Sequence, residues 1–192
     1  MTRLAQAAGW PAAQRCRFLA WRGIDDEWRA EACAADRGTD GLRASGVQLA
    51  VAYRVDYELT TTPDLLTERL RLTLRDADGA RRVDLRRHAD GRWTANDEEL
   101  PHVDGALDCD LAFSPLTNFM PAARLGTEPA DHVMAWASLP DLRILRSEQR
   151  YEPIGEHRVR YIGLDHDFTA ELELDEDGFV ISYPGLAERV GR

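Results

Sequence analysis

Apolar residues recur at every second position over long stretches of this chain, the periodicity of a strand with one covered face. Val47, Leu49, Val51, Tyr53, Val55, Tyr57 and Leu59 form the longest such stripe and predict one long strand. Leu70, Leu72 and Leu74 repeat the pattern, with Arg71, Thr73 and Arg75 between them. Leu107, Cys109, Leu111 and Phe113 do so again, as do Phe168, Ala170, Leu172 and Leu174. Residues 158–162 and 179–183 predict shorter strands. Asp-Gly pairs at 40–41, 78–79, 90–91, 104–105 and 177–178 punctuate these runs. Asp-Gly suits hairpin turns, whose central positions require positive φ, so the five pairs predict an antiparallel meander with little room for βαβ units.

Two segments read less simply. Residues 25–35 have helix-favouring Ala and Glu but also alternate, with Trp28, Ala30, Ala32 and Ala34 on one side; a strand is the preferred reading. Residues 114–125 do not alternate, and Ser114-Pro115 suits a helix start with proline at the first position. A short helix is expected there, bent or ended at Pro121.

A length of 192 residues fits one domain spanning 1–192, and 44% hydrophobic residues suffice for a packed core. The formal net charge is −10, which argues against nucleic acid and anionic membrane surfaces as partners. All 24 basic residues are Arg, as a GC-rich coding bias would produce. Cys16, Cys33 and Cys109 lack CxxC spacing, so neither a zinc knuckle nor a redox pair is expected; reduced thiols suit the cytoplasm. Residues 1–14 lack the continuous apolar stretch of a signal peptide, and no apolar run reaches the ~20 residues of a membrane helix.

Candidate chemistry concentrates in residues 107–125. Asp108 and Asp110 share one face of a strand, where paired carboxylates bind cations, act as acid and base, or simply face solvent. Thr117 and Asn118 offer hydrogen bonds to a ligand or to the end of a helix, with capping the commoner role. Arg124 can clamp an anionic group or form a buried ion pair with either aspartate. No HExxH, GxSxG, P-loop or GxGxxG motif occurs, and no cofactor is implied. The five tryptophans, Trp10, Trp21, Trp28, Trp93 and Trp136, serve either as core or as lining of a ligand cavity.

Gly91-Arg92-Trp93, Leu107-Asp108-Cys109-Asp110-Leu111, the run from Ser114 to Pro121, and Arg124-Leu125 together resemble the signature of the putative glycolipid-binding family of bacteria. Gln149 and Tyr151 match its downstream Gln-x-Tyr. Leu116 stands where that family usually shows Phe, and Ala122-Ala123 where bulkier or charged residues are usual. The resemblance covers roughly Trp21 to Tyr183. It implies an antiparallel sheet rolled around a single central helix, a spiral β-roll. It also implies a lipid or glycolipid ligand in an apolar groove between sheet and helix. Trp93, Asp108, Asp110, Thr117, Asn118, Arg124, Gln149 and Tyr151 are the expected ligand-binding residues.

Binding of an amphiphile is therefore the first expected function, with the acyl part dominating affinity at ~0.8 kcal/mol per buried methylene. The alternatives are a hydrolase using Asp108, Asp110 and Arg124, and a ligand-free structural or dimerising protein whose open sheet edges pair in a homodimer. A catalytic role is less expected than binding.

Overall fold

The structure, a computed structural model, describes residues 15–191; Trp10 and the rest of residues 1–14 lie outside them. A meander opens the chain: β1 (Arg15–Gly23), β2 (Ala30–Gly38), β3 (Gly41–Leu49), β4 (Arg54–Thr61), β5 (Thr67–Asp76), β6 (Gly79–Arg87), β7 (Trp93–Ala95) and β8 (Glu98–Glu99). A 3₁₀ turn at Pro101–Val103 leads to β9 (Asp108–Leu111) and the helix α1 (Phe119–Arg124). A second meander follows: β10 (Ala130–Ala137), β11 (Ile144–Gly155), β12 (Arg158–Gly163), β13 (Thr169–Leu174), β14 (Val180–Tyr183) and β15 (Ala187–Arg189).

All of these strands join in one 15-stranded sheet. From its middle, where β1 pairs with β15, the sheet runs one way to β8 and the other way to β9. The β9 end curls back over β5, for the Thr67 N–H donates to the Leu107 carbonyl at 3.0 Å and the Cys109 N–H to Thr67 Oγ1 at 2.9 Å. The sheet is thus a roll, with β9 and α1 tucked inside. Every pairing is antiparallel except β9 with β10, because the chain between them crosses the roll through α1 before returning.

The predicted strands at 70–74, 168–174, 158–162 and 179–183 appear as β5, β13, β12 and β14. Leu70, Leu72 and Leu74 are buried, as alternation requires. The longest stripe misleads. It is no single strand but a hairpin that reverses at residues 50–53, closed by the Ala50 N–H donating to the Tyr53 carbonyl. Gln48 faces Val55 across the hairpin, so an even position pairs with an odd one. The odd stripe therefore lies outside on β3 and inside on β4: Leu49 is 45% exposed, while Val55, Tyr57 and Leu59 are buried. Period-2 alternation is blind to a reversal that exchanges parity.

The strand expected over 25–35 begins only at Ala30, as β2, after a turn at residues 26–29, and its inner residues are Glu31, Cys33 and Ala35. Ala30, Ala32 and Ala34 point the other way, while Trp28 sits in the turn before the strand and is 69% exposed. Four of the five Asp-Gly pairs sit in connections between neighbouring strands; Asp104-Gly105 instead follows the 3₁₀ turn.

The expected helix is shorter than residues 114–125. Pro121 is its third residue, where the missing N–H has no intrahelical partner to lose, so it neither ends nor bends α1. Leu116, Phe119 and Met120 are fully buried in the core inside the roll, with Phe119 stacked on Phe179 at 4.4 Å between ring centroids. That side of the helix is packed against the sheet.

Candidate functional site

Seven of the eight residues singled out from sequence come together around β9. Asp108 is fully buried and forms a two-point ion pair with Arg124, whose Nη1 also donates to the Leu65 carbonyl at 2.6 Å. Asp110 accepts from Thr117 Oγ1 at 2.7 Å and from Gln149 Nε2 at 2.8 Å. The Tyr151 hydroxyl bridges Asn118 Oδ1 at 2.8 Å and Gln149 Oε1 at 3.2 Å. Trp93 stands apart: it is fully buried, and its indole N–H donates to the Ala106 carbonyl at 3.0 Å.

Each oxygen of both aspartates thus accepts a hydrogen bond. Asp108 is buried and Asp110 only partly exposed, so neither is the solvent-facing position of a half-covered strand. Burial pushes both carboxyls above their ordinary range, against the pull of Arg124 on Asp108 and of Thr117 and Gln149 on Asp110. Nor do Thr117 and Asn118 cap α1. Asn118 occupies the cap position without a side-chain cap and donates instead to the Ser114 carbonyl at 3.2 Å. Among the described residues no three His, Cys, Asp or Glu side chains gather in a metal-holding group.

Sequence reasoning missed a second buried cluster. Glu31, on the inner face of β2, accepts from the Tyr57 hydroxyl at 2.5 Å, from Ser114 Oγ at 2.8 Å and from Gln48 Nε2 at 3.4 Å. Burial pushes its carboxyl up to about 7, with those three bonds opposing. Tyr57 reaches it by lying across Gly46, where an added Cβ would stand 2.5 Å from the ring. Gln48 Oε1 is buried without a hydrogen-bond partner. A glutamate on a strand with alanines either side carried no motif that could have flagged it.

The outer face carries a groove of about 710 Å³, which crosses β1 to β5. Phe18, Ala20, Ala32, Ala34 and Val47 give it an apolar floor, extended by Val190 after β15. Its far wall is charged: Glu58 accepts from Arg71 at 2.7 Å, and Asp56 accepts from Arg54 and Arg75. Phe18 stands 84% exposed beside the floor. The small side chains of β2 leave the hollow, since Ala32 and Ala34 face Val47 and Ser45 on one side and Ala20 and Phe18 on the other.

The sequence pattern described as putative glycolipid-binding matches residues 18–189. A crystal structure of a DUF1089 family protein from Pseudomonas aeruginosa is similar at 30% identity and a TM-score of 0.70, over 98% of this chain and 100% of that one. No curated protein matches.

Proposed function

The chain belongs to the putative glycolipid-binding family, and from that premise we propose that it binds a lipid or glycolipid-like amphiphile in the outer groove. The observation that carries this reading is the groove's two-sided chemistry. An apolar floor on β1–β3 meets a wall of carboxylates and guanidinium groups on β4 and β5 within one space of about 710 Å³. That volume lies within the roughly 300–1,000 Å³ of small-molecule sites. An acyl chain laid on the alanine floor sheds water from both surfaces, at ~0.8 kcal/mol per methylene fully covered. A hydroxylated head at the wall finds acceptors in Asp56 and Glu58 and donors in Arg71 and Thr73.

This places the ligand on the opposite side of the sheet from α1. The sequence-based expectation of a groove between sheet and helix meets a helix face already filled by Leu116, Phe119 and Met120. The network of Asp108, Asp110, Arg124, Thr117, Asn118, Gln149 and Tyr151 then serves the fold, fixing α1 and the β9 edge inside the roll. Asp108, out of solvent and committed at both oxygens to Arg124, favours a structural over a hydrolytic role for that pair.

The test uses dodecyl maltoside below its micellar concentration as probe, with Ala34→Trp filling the groove from its floor. Thermal stabilisation of the wild type by the probe, lost in Ala34→Trp at unchanged basal stability, is the expected result. Equal stabilisation of both proteins would overturn the placement.

A further inference from the structure

We propose that the end of the roll carrying the β1–β2 and β3–β4 connections docks on a neutral, zwitterionic lipid surface. This rests on the groove reading, since its purpose is to bring the groove to its ligand's source. Among the described residues, eight large apolar side chains are exposed, and four of them lie at this end: Ile24 at 46%, Trp28 at 69%, Leu49 at 45% and Val51 at 81%. Ala30 pairs with Leu49 at the end of β2 and β3, and Trp28 and Val51 lie in the turns beyond that pair, at residues 26–29 and 50–53. Both stand exposed on the loops at this end of the sheet. Below them, Ala32 and Val47 are the next pair along and already belong to the groove floor. The exposed apolar side chains at the loop tips thus stand at the end of the two strands whose outer face carries the groove floor.

Charge selects the occupant. The chain carries a formal −10, which repels anionic membranes. Residues 22–29 and 49–54 are locally balanced, with Asp25, Asp26 and Glu27 against Arg22, Arg29 and Arg54. Asp26 and Arg29 already pair at 3.5 Å. A balanced rim around an apolar tip complements a surface bearing both phosphate and choline. An indole with an apolar body and a polar N–H is suited to that boundary. Leu49, Val51 and Trp28 give the tip its exposed apolar side chains, and no cluster of cations is present among these residues to draw it to negative lipid.

Sedimentation with phosphatidylcholine vesicles tests the proposal. The wild type should partition onto them at physiological salt, and added anionic lipid should weaken the association. Trp28→Ser combined with Val51→Ser should reduce partitioning at least about tenfold. Native mass spectrometry should find dodecyl maltoside still bound by that variant, because neither residue lines the groove. Absence of partitioning by the wild type, or equal partitioning by the variant, overturns docking even if the groove holds the probe. If the probe fails to bind but vesicle association still depends on Trp28 and Val51, docking stands and the groove reading fails. A wild-type dimer that the double variant dissociates, with no vesicle binding, would show that a second copy covers the tip and would overturn the proposal.

Discussion

Above neutral pH the folded chain must hold a carboxylate, Glu31, beneath the sheet with a glutamine, a tyrosine and a serine for company and no cation bonded to it. Its folded value near 7 against an ordinary 4.5 makes folding take up a proton between those limits. The contribution to stability is therefore full below about pH 4.5 and is lost as pH rises through 7, a swing of about 3 kcal/mol at 1.36 kcal/mol per unit. Glu31→Gln keeps the polar contacts and removes the titration. Urea unfolding from pH 4 to 8 should show the variant gaining on the wild type by about that amount; parallel curves would contradict the assignment. The Asp108–Arg124 pair makes a second case. Truncating one partner alone, as in Asp108→Ala, strands a largely buried guanidinium and should cost about 3–5 kcal/mol. Replacing both partners by apolar side chains, Asp108→Leu together with Arg124→Met, should recover most of that loss, measurable in a double-mutant cycle. The pairing partner of Arg124 was open between two aspartates in the sequence, because both lie on the same strand face; the crossing of α1 over β9 decides it.

At the scale of elements, strands were legible and facing was not. Where a stripe stays within one strand, as with Leu70, Leu72 and Leu74, alternation gives the buried face directly. Where a stripe crosses a turn, the register of the hairpin decides. Leu49 and Leu59 are indistinguishable members of the same sequence stripe, yet one is 45% and the other 1% exposed. Leu59→Ala should cost about 2–5 kcal/mol in thermal or chemical unfolding, and Leu49→Ala within about 0.5 kcal/mol. Equal costs would mean that the hairpin at residues 50–53 is misplaced. The helix was legible from broken alternation, but its length was not, because residues 114–118 are tied by side-chain bonds to β9 and β2 instead of by helical ones. The alanines of β2 were read as one face of a strand, correctly, though not as the outer one, and so the floor of the groove went unseen.

For the molecule as a whole, the sheet's free edges are small. β8 has two residues, and β9 lies curled against β5, so edge-to-edge pairing has little to offer a partner. Among the described residues, five of the eight exposed large apolar side chains, Phe18, Ile24, Trp28, Leu49 and Val51, lie instead on β1, on β3 or in the connections beside them. No helix among the described residues is long and apolar enough to cross a membrane. The proposed function puts contact with lipid on the surface of the fold: an amphiphile held outside the roll, with the polar network beneath assigned to keeping the roll closed. Native mass spectrometry of the purified chain, followed by organic extraction of whatever it carries, tests this most directly. A near-stoichiometric amphiphile, lost from Ala34→Trp and retained by Asp110→Asn, is the predicted result; an amphiphile retained by Ala34→Trp, or a bare protein that takes up neither fatty acid nor dodecyl maltoside, would contradict it.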